Sequence, residues 1–494
     1  MLLRREQPFR LNHAKIAALV SWSAVGVALC LLGWILAQPG PVFLAGAGFL
    51  AIACTIVIAG LTLQTVGVML IALFCLTASW DLVFVAGISV RQSLLLLGGL
   101  LLATGLDPRR LPPVPWWLHA YGLSAVVAVM LQTLFPIDAS YLAGRYATSS
   151  LGLALGERAS PLSQLMSLLF NNYAAPLVVV AACMYAPRAL RWLVGAYVLG
   201  VAMSCLAGIL GYYGQPVIVD LIGGLPTPAG QRIAGFTSHS LRLATSVVTA
   251  IGLASWMALQ SHPGLKWAGR ISVPTLILGL YLSGSRGGIV AGILVVILAM
   301  LLLPEVRNRL HVVVSAVTAV LLGIYLLFTD IVYGILGDTR VFGDETATIS
   351  DIGRAEVFDQ GIHDFLTSPL YGIGVRFIAE AHVLYLGILA SGGIIFATGY
   401  FLFNVGSIRA SIQATRVDRA LGGALLATLV ASLGYWTVAN SFQNKSVAII
   451  YGFVIALWWQ GRDGEPDSEE NEERPAGTFA SSRSLRMKLK PRYR

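Results

Sequence analysis

Apolar runs long enough to cross a bilayer recur from residue 14 to residue 460, and they leave the chain few ways to fold. A bilayer core takes about 20 apolar residues in a helix. Inside it, only helices or closed barrels satisfy every backbone N–H and C=O. The runs read as helices at 14–36, 41–61, 63–80, 92–106, 116–135, 166–184, 190–211, 239–259, 270–284, 286–303, 311–329, 383–405, 418–439 and 444–460. The pair within 41–80 and the short 92–106 can each be read otherwise, so the expectation is about 12–14 transmembrane helices. Hydrophobic residues make up 56% of the chain and charged ones 12%, with mean hydropathy +0.76, which excludes a soluble domain. The expected fold is an all-α polytopic membrane protein. A membrane domain spans 1–460 and a polar, disordered tail spans 461–494. The run Ala14–Ala37 outlasts a signal-peptide core of about 7–15 residues and reads as a helix. All five cysteines (Cys30, Cys54, Cys75, Cys183, Cys205) fall in apolar runs, without metal-type spacing.

Charge placement orients these helices. Of the 33 Lys and Arg residues, 23 fall in the N-terminus, the tail from Arg462, or the short loops around residues 109, 190, 268, 308 and 415. All lie on one side in the helix count above, the cytoplasmic side by the positive-inside rule. Both termini are then expected in the cytoplasm. This topology accounts for most of the formal +9 charge, so no nucleic-acid surface is implied. The tail's basic end, from Arg483, could touch anionic membrane lipid. The other ten cations, including Arg232, Arg242, Arg286, Arg354 and Arg376, lie outside with the loops 136–165, 212–238 and 330–381. The last is the one long outer loop, and short helices are expected in it around Ile352–Leu366.

Several outer residues suit chemistry on an anion. Ser283-Gly284-Ser285-Arg286-Gly287-Gly288 is a tight hairpin from which a helix starts near Arg286. A helix N-terminus beside an arginine binds phosphate well, although an arginine here can also snorkel to lipid headgroups. Arg232 enters the helix at 239–259 and could grip a second phosphate, with Arg242 about one turn inside. His239 reads as a boundary histidine. Arg354 either faces substrate or pairs with Glu356 or Asp351. The turn Ser368–Arg376 could deliver Arg376 and His382 to one place. His382 ends the long polar stretch just before an apolar run. It is either hydrogen-bonded to backbone or a general base, neutral imidazole being able to take a hydroxyl proton at ambient pH. No Asp-x-Asp or His-rich metal constellation stands in the sequence. Arginines would then neutralise a diphosphate leaving group, so a metal-independent reaction without cofactors is expected.

These motifs resemble the O-antigen ligase/Wzy-polymerase superfamily of bacterial envelope proteins over roughly 231–405. They are Arg232-x-x-Gly235, Ser283-x-Ser285-Arg286-Gly287 and the Arg354-led segment. Pro369-Leu370-x-Gly372-x-Gly374, His382-x-x-Tyr385-Leu386 and Gly392-Gly393 follow in order. The resemblance implies an inverting glycosyltransferase of GT-C-like helical fold in the inner membrane. Its donor is an undecaprenyl-diphosphate-linked glycan at the periplasmic face. It casts His382 as the base and Arg232 and Arg286 as diphosphate ligands. Arg354, Arg376, Arg242, Ser285 and Tyr385 are further substrate-binding candidates. The acceptor is another lipid-linked glycan in a polymerase and lipid A-core in a ligase. A chain-length regulator or a flippase is an expected companion.

Val383 stands where the family often has Asn, Ser391 where an acid often precedes the paired glycines, and Ser238-His239-Ser240 where Asn-Pro-Asn is usual. These departures fall on the acceptor side and favour a polymerase for O-antigen, capsule or exopolysaccharide over a ligase. A transporter of lipid-linked sugar or anions would need ionisable residues near mid-bilayer. Here they sit mostly at helix ends.

Overall fold

The computed structural model describes residues 62–81, 84–85, 88–105, 113–148, 161–216, 218, 232–303, 345–375, 377, 383–439 and 445–462. The expected helices 14–36, 41–61 and 311–329, and all of the tail beyond Arg462, lie outside them, as do Arg376 and His382.

The described chain is helical apart from one two-residue antiparallel ribbon, β1 (Phe84–Val85) with β2 (Ile88–Ser89). In order the helices are α1 (Leu63–Leu76), α2 (Val90–Ala103), α3 (Trp116–Leu134), α4 (Ala139–Thr148) and α5 (Pro161–Leu169). A π-turn, Phe170–Ala174, joins α5 to α6 (Ala175–Tyr185). Then come α7 (Ala189–Tyr212), α8 (Ser240–Ala258), α9 (Pro263–Leu282), α10 (Arg286–Leu302) and α11 (Glu345–Thr367). The last three are α12 (Leu384–Ala414), α13 (Arg419–Tyr435) and α14 (Lys445–Arg462). Four of these, α3, α7, α8 and α12, are long and apolar enough to cross a membrane, and shorter apolar helices accompany them. The protein is an all-α polytopic membrane protein.

α8 is the hub of the bundle, packing on α7, α9, α10 and α13. Its face of Ala, Ser, Thr and Gly explains the position, because small residues let helices approach closely where lipid gives no hydrophobic drive for association. Hydroxyls along it find partners across the bundle: Thr249 meets Tyr197, and Ser246 lies 3.0 Å from Ser446 on α14. Such pairing is what burial of polar groups requires.

Two helices run past their apolar runs. α9 starts at Pro263, seven residues before the hydropathy edge, with Pro suited to the first helical turn. α12 continues beyond residue 405 to Ala414. Charged side chains at a bilayer edge extend toward water without ending a helix. The stretch 330–381, expected as the long outer loop, holds a 23-residue helix, α11, longer than the short helices expected. α4 lies in a loop where no helix was expected.

The feature that shapes the end of the bundle beside α11 is a break in α12 at Gly393 (φ 63, ψ −169). The break frees the carbonyls of Ala390 and Ser391 and the N–H groups of Ile394 and Ile395. The turn after α11 takes up all four. Ile373 and Gly374 donate to Ala390 and Ser391 (2.9 and 3.1 Å), while Ile394 and Ile395 donate to Pro369 and Leu370 (2.8 and 3.2 Å). Gln132 on α3 adds bonds to the carbonyls of Tyr371 and Ser391. A Cβ on residue 393 would stand 2.3 Å from the Leu370 carbonyl, in a left-handed conformation that side chains resist. Gly393→Ala is therefore expected to destabilise the fold by about 1–3 kcal/mol or more. Thermal unfolding of the purified protein checks this, and an unchanged midpoint would refute the interlock.

Candidate functional site

The hairpin between α9 and α10 turns at Gly284 (φ 64), and Ser285 caps the helix that follows. The Ser285 hydroxyl accepts from the Gly288 N–H (3.2 Å) and pairs with the Tyr435 hydroxyl at the end of α13 (3.0 Å). Arg286 is the first helical residue, exposed, with no acid in the first turn of α10. The positive end of the helix dipole and a guanidinium thus share one spot.

Arg232 reaches the same hairpin from the segment before α8. Its guanidinium donates to the Gly284 carbonyl (3.2 Å), and the Ile233 N–H donates to the Leu282 carbonyl (3.2 Å). Buried Ile233 and Phe236 fasten this segment, with Phe236 against Trp80 at 4.8 Å. A Cβ at 284 would sit 3.0 Å from the Arg232 side chain, so the glycine also makes room for this approach. At the next turn His239 caps α8 by accepting from the Leu241 N–H (3.1 Å), which fits the boundary role read from the sequence.

Arg354, on α11, completes the arrangement. One small cavity is lined by Arg232, Arg286 and Arg354 together with Ser285, Tyr435 and Val438. No carboxylate is among its described lining residues. Three guanidiniums around a helix N-terminus make a strong anion site, able to supply several charge-assisted bonds at once. Beside it lies a second, more apolar cavity, walled by Arg354, Phe358, Val383, Leu386 and Val438. Arg354 and Val438 belong to both. Val383, next to His382 in the chain, is held there because the Leu384 N–H donates to the Trp436 carbonyl (3.1 Å).

A polar anchor holds α11 in place. Asp364, 2% exposed, accepts from Arg145 (3.0 Å) and Tyr141 (2.6 Å) on α4 and from Gln360 on its own helix (2.9 Å). The Tyr141 ring stacks on His363 at 5.7 Å. Burial, and then the adjoining Asp364 carboxylate, push the Tyr141 hydroxyl above its ordinary range.

The arrangement sorts the residues singled out from sequence. Arg232, Arg286, Arg354 and Ser285 come together. Arg242 is elsewhere, in an ion pair with Asp81 (3.2 Å), which it shares with Arg91. The Tyr385 hydroxyl donates to the Leu433 carbonyl (2.8 Å) and does not line the arginine cavity. Arg376 and His382 lie outside the described residues. Tyr435 was missed. Its only sequence signal is an aromatic at the outer end of an apolar run, a common place for tyrosine in any membrane protein.

An all-helical membrane bundle thus presents an arginine-lined cavity at a helix start, an arrangement suited to an anion. Residues 271–402 match the family model Wzy_C, described as O-Antigen ligase. The match covers about a quarter of the chain and supports, in broad terms, a function of the O-antigen ligase or polymerase type. The matched stretch contains the Ser285–Arg286 hairpin, Arg354 and the break at Gly393, whereas Arg232 and Tyr435 flank it. No curated protein matches the chain.

Proposed function

We propose that the protein is a metal-independent, inverting glycosyltransferase of the bacterial inner membrane. It transfers a glycan from an undecaprenyl-diphosphate-linked donor to a sugar hydroxyl at the periplasmic face. The observation that carries this reading is the convergence of Arg232, Arg286 and Arg354 at the capped start of α10. The donor's diphosphate lies among these guanidiniums, and Ser285 and Tyr435 set the helix end that faces it. His382 takes the proton of the acceptor hydroxyl as its oxygen bonds to the anomeric carbon from the face opposite the diphosphate. The bond from that carbon to the phosphate oxygen breaks, and undecaprenyl diphosphate departs with its new charge held by arginine. In this reading the membrane domain is 1–460, both termini are cytoplasmic, and α11 covers the site from the periplasm.

Within the superfamily we favour a polymerase acting on a second lipid-linked repeat, because Val383, Ser391 and Ser238-His239-Ser240 depart from the usual acceptor-side pattern. Purified protein incubated with lipid-linked glycan is expected to make new glycosidic bonds and release undecaprenyl diphosphate. Movement of the intact lipid-linked glycan across a vesicle, without bond formation, would make the protein a transporter instead. Loss of the gene is expected to leave single-repeat glycans on an intact acceptor. Long chains stranded on undecaprenyl diphosphate would assign it as a ligase.

A further inference from the structure

The largest cavity described here lies far from the arginine site. It opens at the other end of α12, where the helix start of α3 and the end of α14 diverge from it, and measures about 680 Å³. Val383 and Leu386, beside the arginine site, stand at the start of α12, whereas this cavity is lined by Leu402–Gln413 beyond the break at Gly393. The two cavities therefore sit toward opposite ends of α12. This end also carries Arg188 and Arg191 at the start of α7 and Lys266 and Arg270 in the first turns of α9.

We propose that this groove binds an anionic phospholipid. Arg409, Arg416 and Arg462 line it, and no carboxylate is among its described lining residues. None of the three makes an ion pair with a described acid. The walls suit a lipid. Leu402, Val405 and Val417 give apolar surface, and Trp116 is 67% exposed beside buried Trp117. Tryptophan marks the headgroup level of a bilayer. Trp458 is fixed at the back, donating to Gln413 (2.6 Å), and the Arg462 guanidinium lies over its ring at 5.1 Å. Basic pockets between membrane helices are built this way for phosphate headgroups, while a soluble anion has no use for the apolar walls. The volume accepts a headgroup with the first part of its acyl chains.

The test uses the full chain in detergent, titrated with phosphatidylglycerol or phosphatidylcholine and read by native mass spectrometry and thermal unfolding. Phosphatidylglycerol is expected to be retained and to raise the midpoint, and phosphatidylcholine to do neither. Each cation near the surface is worth roughly fivefold in affinity, so the triple variant R409Q/R416Q/R462Q is expected to bind phosphatidylglycerol on the order of a hundredfold more weakly. The variant R409K/R416K, which keeps the charge, controls for misfolding and is expected to retain most binding. Equal retention of both lipids, unchanged affinity in the triple variant, or full stabilisation by inorganic phosphate alone would overturn the proposal. So would lipid binding that appears only after neutralising the acidic block Asp467–Glu473, since the tail would then be the occupant.

Discussion

Arg286→Ala is expected to lower glycan transfer about 10²–10³-fold, the usual cost of removing one preorganised donor from a site of developing charge. Protein level in the membrane is expected to stay near normal. Arg286 is exposed at the first position of α10, so little packing is lost with it. The helix end itself survives, because Ser285 caps it and Tyr435 braces the cap. Arg286→Lys keeps the charge without the planar fork and is expected to fall between the two. Transfer assayed in membranes of matched protein content decides the matter, and a rate within a few-fold of wild type would remove Arg286 from the donor site.

His382→Ala is expected to cost about 10²–10⁴-fold in transfer, the range typical of a lost general base. Binding of the lipid-linked donor is expected to persist, because Arg232, Arg286 and Arg354 remain. That separation distinguishes a base from a donor ligand: His382 variants lose turnover at unchanged donor affinity, and Arg286 variants lose both. His382→Gln, which keeps a hydrogen-bonding side chain of similar reach but cannot take the proton, is expected to be as slow as alanine. Rapid transfer by either variant would end the assignment. The placement of Val383 supports it, since that residue shares a cavity wall with Arg354.

The bundle was legible because hydropathy reports spans directly, and residues 286–303 and 190–211 were read within a residue or two of α10 and α7. Edges went astray at α9 and α12, where Lys266, Arg270 and Arg409 look like loop residues to any hydropathy rule. Within the site, Arg286 and Ser285 were readable because hairpin and helix start are local. Arg232 and Arg354 were readable as outer-face cations, but their meeting is a tertiary fact. Arg242 shows the limit: the same charge one turn into a helix is engaged by Asp81, 161 residues away. Tyr435 was invisible for the same reason, its partner Ser285 being 150 residues distant.

Asp364 and Arg354 share one helix, ten residues or about 15 Å apart. α11 is thus fixed by the Asp364 cluster and by its packing on α12, and it carries Arg354 to the cavity. Loss of that hold would shift the guanidinium, which is one of the three that line the cavity. Substitution of Arg145 or Tyr141, which touch no substrate in the proposed reaction, is therefore expected to weaken anion capture. Sequence change there would retune the enzyme while leaving its chemistry intact.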